Sequence, residues 1–429
     1  MIVPINTEHK KELFLFIILY LSLYLSFFFE SRDAIDSPEN YFFGSLLQNI
    51  GPYSDFVLRE TIIEKFNNNF FQTLLNYDKT ADRHSPVILM YFTIYRKIGL
   101  DFDTIRLLHL NVVPLCAYVF FKCLKIKYPN IKTGLLIILS LSFFLSPPIR
   151  SLGIWPDSRI YGLLFFIISI FFFIRFNNNK KFKDALYNTI FLCLASYISP
   201  NFSVFFILYF YNFFNHYRVT LKTLILLFIN FICAMPAYYY LFELKVFFLS
   251  TTAIGDINLS TRLNLANKIL LISSIVLFYF LPFMFSKEFI SKYYKININL
   301  KKILISFFLT LFLFFFFSYR SNFTGGGIFF QFSNYVFKNN ILFFLISFLS
   351  ILLVVSLWNI DINNKILLFC LVLGNPQLTI YHKYFDPLLI VLFFLLFNFN
   401  VSIQKIFNMN FLKFLYFFYF SFLILNYLK

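Results

Sequence analysis

Residues 340–357, NILFFLISFLSILLVVSL, contain no charged side chain over 18 consecutive positions. As an α-helix this segment is about 27 Å long, close to the roughly 30 Å thickness of a bilayer hydrocarbon core. Similar apolar segments recur along the chain and predict about 13 transmembrane helices, near residues 13–29, 104–124, 133–149, 158–175, 184–199, 202–214, 221–242, 267–285, 303–318, 340–357, 366–380, 387–401 and 411–428. The predicted fold class is therefore an all-α polytopic membrane protein.

Composition supports this class, because 59% of the 429 residues are hydrophobic and only 13% are charged. Such a chain is excluded as a soluble globular enzyme, a disordered segment or a nucleic-acid-binding protein. The five cysteines lie in or beside apolar segments and show neither zinc spacing nor a disulfide framework. We expect one transmembrane domain over residues 1–429, with no soluble domain at either end.

The distribution of charge predicts the orientation. With the N-terminus inside, the inner segments carry 20 Lys/Arg and 5 acidic residues, whereas the outer segments carry 17 and 15. This asymmetry agrees with the positive-inside rule only if residues 86–98 do not cross the membrane. The nine apolar residues from Val87 to Tyr95 are too few to cross. We therefore predict an interfacial or re-entrant helix at 86–98.

The first outer loop, residues 30–103, holds 11 of the 20 acidic residues. Asp36 lies beside Ser37 and Pro38, which favour the start of a short helix at the membrane surface. A carboxylate there suits deprotonation of an acceptor hydroxyl or ligation of a divalent cation, although solvated surface acids are a simpler interpretation. No carboxylate lies in the middle of a predicted span, which disfavours an ion-coupled transporter.

Several short segments occur in a fixed order relative to the spans: Asp36-Ser-Pro-Glu-Asn-Tyr41, Gly51-Pro-Tyr-Ser-Asp-Phe56, Arg83-His-Ser-Pro86, Arg106-Leu-Leu, Ile154-Trp-Pro-Asp-Ser-Arg159 and Tyr381-His-Lys-Tyr-Phe-Asp-Pro387. Together they resemble the GT-C superfamily of membrane glycosyltransferases, which includes protein mannosyltransferases and the aminoarabinose transferases of lipid A. The resemblance covers most of residues 1–210 and little of the rest. The segment from Arg59 to Asp82 is an insertion relative to that pattern and is interpreted as a lineage-specific acceptor element.

The resemblance implies transfer of a sugar from a polyprenyl-phosphate donor to a lipid, glycan or protein acceptor at the outer interface. Asp36 is then the candidate base and Glu39 its alternate, since the family's adjacent acidic pair is replaced here by acids three residues apart. Asp157 corresponds to the second acidic site, where it would ligate a divalent metal or orient a donor hydroxyl; the competing interpretation is a helix N-cap. Candidate donor-phosphate ligands are His84, Arg106, Arg159, Lys383 and Tyr384, although basic residues at helix ends also anchor proteins to lipid headgroups.

Two alternatives remain open from the sequence. A lipid-linked glycan polymerase or ligase would face outward too, but with basic and His residues in a large late loop. A transporter or flippase would need polar residues within the spans. The late outer loop with Arg320 and Gly325-Gly-Gly327 is predicted to be flexible; it is interpreted as a plain connector, with closure over the substrate as the alternative. The expected location is a bacterial inner membrane with the site facing the periplasm or exterior.

Overall fold

The structure, a computed structural model, describes residues 10–29, 55–80, 85–155, 157–238, 264–319, 325–375 and 380–427. Within these ranges the chain is helical and contains no β-strand. The helices are α1 (Lys10–Phe29), α2 (Asp55–Asn68), α3 (Phe70–Leu75), α4 (Pro86–Lys97), α5 (Phe102–Leu110), α6 (Val112–Lys127), α7 (Thr133–Leu141), α8 (Pro147–Ile154), α9 (Ser158–Asn179), α10 (Phe182–Ile198), α11 (Phe206–Tyr217), α12 (Leu221–Tyr238), α13 (Leu265–Met284), α14 (Lys287–Asn297), α15 (Leu300–Phe315), α16 (Gly327–Phe337), α17 (Ile341–Trp358), α18 (Ile362–Leu373), α19 (Leu388–Leu395) and α20 (Met409–Tyr427).

Five segments in the described part of the chain are long and apolar enough to cross a membrane: Lys10–Phe28, Phe102–Lys127, Ser158–Asn179, Leu265–Met284 and Ile341–Trp358. Two bent pairs raise this number to seven if each pair is one span: Thr133–Leu145 with Pro147–Ile154, bent by 65°, and Lys287–Asn297 with Leu300–Phe315, bent by 87°. The prediction of an α-helical membrane protein is confirmed at this level, whereas the number of 13 spans is not.

The segment predicted to span at 387–401 forms only the eight-residue α19. At about 12 Å this helix is too short to cross a bilayer. The chain turns after Leu395 because Asn364 holds the backbone of Asn398 from both sides: its Oδ1 accepts the Asn398 N–H at 2.9 Å and its Nδ2 donates to the Asn398 carbonyl at 2.7 Å. All eight residues of α19 are buried in the protein.

The contacts divide the chain into two compact units. The first consists of Met1–Ser203, Phe213–Asp256 and Tyr416–Lys429, and the second of Val204–Asn212 and Ile257–Leu415. In the first unit α6 and α9 run parallel, with the Cys116 and Cys123 thiols facing the Ile160 and Ile167 carbonyls. Because parallel helices begin at the same end, α7 and α8 must return the chain between them.

The end of the first unit at which α5 and α9 begin also receives the end of α1. Ser22 and Ser26 of α1 accept hydrogen bonds from Arg150 of α8, and the Phe27 ring lies under the Arg106 guanidinium, 4.9 Å from ring centroid to Cζ. At the opposite end of α1, Glu12 contacts Gly134 at the start of α7. The last residue of α1, Phe29, therefore lies at the same end of the first unit as Asp157, and the predicted catalytic loop follows Phe29 in the sequence.

Candidate functional site

Three predicted site residues, Asp36, Glu39 and His84, lie outside the described residues. Asp157, Arg106 and Arg159 belong to the first unit, whereas Lys383 and Tyr384 belong to the second.

Asp157 is the N-cap of α9 and also the acidic partner of a buried ion pair. Its Oδ1 accepts the backbone N–H of Arg159 at 2.9 Å, so the predicted capping role is confirmed. Its Oδ2 lies 3.6 Å from Nη2 of Arg59, and the residue is only 5% exposed. A carboxylate at a helix N-terminus is stabilised by the helix dipole, and the guanidinium adds a second favourable charge.

Arg59, on α2, was not predicted as a site residue, because it begins the segment from Arg59 to Asp82 that was interpreted as an insertion. It is 4% exposed and shares a helix face with Ile62, Ile63 and Phe66, which are fully buried. Positions i, i+3, i+4 and i+7 lie on one side of a helix, so an arginine at the first of them points into the protein. The signal was present in the sequence as a cation within an apolar stripe.

Arg106 is the most deeply buried cation predicted for the site, at 1% exposure. Its Nη1 donates to Asp103 Oδ1 at 3.1 Å, and its Nε reaches the Ile154 carbonyl at 3.4 Å. The guanidinium lies beside two rings, with Cζ 4.9 Å from the Phe27 centroid and 5.7 Å from the Trp155 centroid. Aromatic faces are favourable surroundings for a delocalised cation and keep it away from water.

His109 lies one turn further along α5 and was not predicted. Its Nε2 is 2.8 Å from the Leu152 carbonyl, which can only accept, so Nε2 carries the proton. The imidazole packs against Phe92 of α4 and Tyr161 of α9 at centroid distances of 5.6 and 5.3 Å. We call Arg59, Arg106, His109, Trp155 and Asp157 the arginine–aspartate cluster.

The helix predicted at 86–98 is α4, which begins at Pro86 under the Ser85 cap and ends at Lys97. Its 12 residues span about 18 Å, and α4 is not among the span-length helices of the described chain. Tyr91 on α4 packs against Tyr161 at 5.8 Å. Burial, together with a hydrogen bond to Tyr95, raises the pKa of Tyr91 to about 12.

Asp101 caps α5 as Asp157 caps α9, but in a different environment. Its Oδ1 accepts the Thr104 N–H at 2.6 Å, and Asp101 is exposed. Hydrogen bonds from Thr104 hold the pKa of this carboxyl below its usual value. Both aspartates therefore cap a helix, Asp157 through the N–H two residues on and Asp101 through the N–H three residues on, and of the two only Asp157 is paired with a buried arginine.

In the second unit Lys383 and Tyr384 lie half-buried in a short turn at His382–Tyr384. The neighbouring His382 accepts the Ile328 N–H at Nε2, at 2.9 Å, and its Nδ1 is 3.1 Å from the Tyr279 hydroxyl. His382 is thus neutral and fixes the start of α16. The glycines 325–327 all have positive φ, and the Gly326 N–H donates to the Ile380 carbonyl at 2.8 Å. The segment 325–327 is consequently hydrogen-bonded to the chain before His382, whereas Arg320 lies outside the described residues.

The described residues contain no group of three or more His, Cys, Asp or Glu side chains that could hold a metal ion. The cation paired with Asp157 is Arg59. Comparison with protein-family models, curated proteins and solved structures gives no match to this chain. The long apolar helices and the all-helical fold define the class as an α-helical integral membrane protein.

Proposed function

We propose that the protein is a GT-C-type membrane glycosyltransferase that moves a sugar from a polyprenyl-phosphate donor to a hydroxyl of a lipid, glycan or protein acceptor. The observation that carries the proposal is the arginine–aspartate cluster. Arg59 from the first loop region pairs with Asp157 at the start of α9, at the same end of the first unit as the end of α1 and Arg106. Guanidinium groups beside a helix N-terminus are suited to a phosphate.

The proposed reaction needs a base and a stabilised leaving group. Asp36, or Glu39 as its alternate, takes the proton of the acceptor hydroxyl while the acceptor oxygen attacks the anomeric carbon. The bond from that carbon to the phosphate oxygen breaks, and the polyprenyl phosphate leaves with the electron pair. Arg106 and Arg59 stabilise the negative charge that develops on it, with His84 and Arg159 as further proposed ligands.

We assign Asp157 a positioning role, because it holds the Arg59 guanidinium and the first turn of α9 together. A divalent cation bound to Asp157 would compete with this ion pair. A metal titration of sugar transfer distinguishes positioning from metal ligation. Removing the charge of Asp157 changes the metal dependence of transfer only if Asp157 is a metal ligand.

The first test is sugar transfer by the purified protein in vesicles, using a panel of polyprenyl-phosphate sugars and membrane-derived acceptors. Asp36→Asn removes the basic carboxylate but keeps its size, so we expect transfer to fall roughly 100-fold or more. Glu39→Gln should cost much less. No transfer by the wild type from any donor, or wild-type activity in Asp36→Asn and Glu39→Gln alike, would contradict the proposal.

Asp157→Asn has Asp101→Asn as a matched control, because asparagine caps a helix as well as aspartate does. We expect Asp157→Asn to lower transfer about tenfold or more and Asp101→Asn to leave it unchanged. If transfer by the wild type and by Asp157→Asn depends on metal concentration in the same way, apart from the overall loss of rate, the result supports the positioning role. If excess metal restores transfer by Asp157→Asn, the result supports a role as a metal ligand. Equal activity of both variants would remove Asp157 from the site.

One observation favours a transporter as the second candidate. The pair α7 and α8 is bent by 65°, and Arg150 on α8 is 3% exposed. Broken helices with buried cations line the substrate path in many transporters. Arg150, however, donates to the Phe144 and Ser22 carbonyls and to the Ser22 and Ser26 hydroxyls. These hydrogen bonds hold α8 against α1, so they indicate a structural role for Arg150. Counterflow of a sugar phospholipid without transfer would support this candidate.

A further inference from the structure

The α14 helix has an orientation unlike that of a membrane span. It meets α15 at 87°, across a break at residues 298–299. If α15 crosses the bilayer, α14 lies along the membrane surface. The sequence predicts this end of α15 to be cytoplasmic, because lysines are concentrated here.

One face of α14 is fixed to the second unit. Phe289, Tyr293 and Asn297, spaced four residues apart, are each no more than 2% exposed. The Tyr293 hydroxyl is hydrogen-bonded to Ser356 of α17, and Asn297 Nδ2 donates to the Phe399 carbonyl at 3.0 Å. Lys302 Nζ donates to the Asn297 carbonyl at 2.7 Å and closes the end of the helix. The helix is thus a fixed platform.

The other side of α14 is basic. Lys287, Lys292 and Lys295 are exposed, and Lys405, from the turn Ile403–Ile406 that packs on α14, is exposed beside them. We call these four residues the lysine face. The close approach of the Lys405 amino group lowers the pKa of Lys292, because one amine must lose its proton to accept a hydrogen bond from the other and two ammonium charges repel each other. Holding two ammonium groups so close is unfavourable in itself and becomes favourable when an anion lies between them.

Few acids offset this charge. Glu288 is the acidic residue within α14. Asp361, at the start of α18, is engaged by the Asn364 N–H at 2.7 Å and by Asn398 Nδ2 at 3.0 Å.

Large apolar side chains are exposed at the same end of the second unit. Tyr294 is 45% exposed, Ile296 57%, Leu300 71% and Trp358 42%. Aromatic and apolar side chains flanking lysines are typical of helices that lie at the headgroup level of a bilayer. A soluble anion would use the lysines but would leave these residues in water.

We propose that the lysine face binds the headgroups of anionic phospholipids in the leaflet adjacent to α14, and that this binding stabilises the second unit. The phosphates screen the repulsion between Lys292 and Lys405, while Tyr294 and Ile296 enter the interfacial region. The proposal does not depend on the glycosyltransferase function.

The test uses the full-length protein in nanodiscs of phosphatidylcholine with increasing phosphatidylglycerol. We expect phosphatidylglycerol to raise the melting temperature of the wild type, and 1 M NaCl to weaken this effect. In Lys292→Gln/Lys295→Gln/Lys405→Gln, retention of phosphatidylglycerol measured by native mass spectrometry should fall at least tenfold, since each lysine near an anionic surface contributes about fivefold.

The control removes the same charge from another inner segment of the chain. Lys180, Lys181 and Lys183 are exposed in the first unit. Lys180→Gln/Lys181→Gln/Lys183→Gln should keep most of the phosphatidylglycerol effect and should melt like the wild type in pure phosphatidylcholine. There the Lys292→Gln/Lys295→Gln/Lys405→Gln variant should melt no lower than the wild type, because it loses the repulsion between Lys292 and Lys405. Equal losses in the two triple variants, or no rise of the wild-type melting temperature with phosphatidylglycerol, would overturn the proposal. So would an equal rise with inorganic phosphate, which would make the face a site for soluble anions.

Discussion

Arg59 and Asp157 each carry a charge that is costly to bury alone. Their side chains are 5% and 7% exposed, and Arg59 Nη2 lies 3.6 Å from Asp157 Oδ2. Removing one partner of a buried pair leaves the other uncompensated, which typically costs about 3–5 kcal/mol. The Arg59–Asp157 ion pair therefore stabilises the packing of α2 against the start of α9 more strongly than its 3.6 Å separation alone indicates.

We predict that Arg59→Met lowers the free energy of unfolding by about 3 kcal/mol. In a double-mutant cycle with Asp157→Ser, which keeps the helix cap, the coupling energy should be about 1–3 kcal/mol. The measurement is unfolding of the purified protein in an SDS titration.

The control cycle uses Glu64→Gln and Arg96→Gln, because Arg96 Nε and Glu64 Oε1 form a closer pair, at 2.6 Å, that is about one-third exposed. Its coupling should be under about 1 kcal/mol, since solvent screens the charges. Equal coupling in both cycles would show that burial does not set the strength of the Arg59–Asp157 pair.

Asp157, the acidic partner of this pair, was predicted from the sequence, but Arg59, its basic partner, was not. Asp157 was predicted from the resemblance of its segment to the second acidic site of the GT-C pattern, with a helix N-cap as the competing interpretation, and both depend on a short local segment. Arg59 could be recognised only from its place in the stripe with Ile62, Ile63 and Phe66. His109 and Trp155 lie beside this pair because α8 packs against α5 in the tertiary structure, and no local sequence pattern specifies that packing.

At the scale of elements, long uncharged segments were predicted well. The spans expected at 13–29, 104–124, 158–175, 267–285 and 340–357 each coincide with a span-length helix. The segment at 387–401 is as apolar, yet its helix stops at Leu395 because of the Asn364–Asn398 hydrogen bonds. Hydropathy indicates that a segment is buried, but it does not distinguish burial in the protein from burial in lipid.

The α9–α10 hairpin depends on a close approach at Gly162. A Cβ added there would lie 2.7 Å from the Ser199 Cβ and 3.1 Å from the Phe202 ring. Alanine gains up to about 1 kcal/mol in helix propensity, but overpacking at such a contact costs about 1–3 kcal/mol. We predict that Gly162→Ala lowers the unfolding free energy, measured in the same titration. Ser199→Gly should recover part of the loss in the double variant; a more stable Gly162→Ala would refute the close packing.

At the scale of the whole molecule, the orientation of the first unit rests on whether α4 crosses the membrane. Crossing would place Lys79 and Lys97 on opposite sides and would reverse every helix that follows. The positive-inside balance and the 12-residue length of α4 both argue that it does not cross. The parallel direction of α6 and α9 then places Lys181, after α9, on the side opposite to Lys97.

Single cysteines at these three exposed lysines test the orientation directly. With Cys193 and Cys233 replaced by serine, because these thiols are not fully buried, the remaining native cysteines are buried. We predict that Lys79→Cys and Lys97→Cys react with a membrane-impermeant maleimide in intact cells, and that Lys181→Cys reacts only after permeabilisation. Opposite labelling of Lys79→Cys and Lys97→Cys would make α4 a crossing segment and would move Asp157 to the inner side. Labelling of Lys181→Cys alone in intact cells would invert the whole topology and, with it, the proposed outward-facing site.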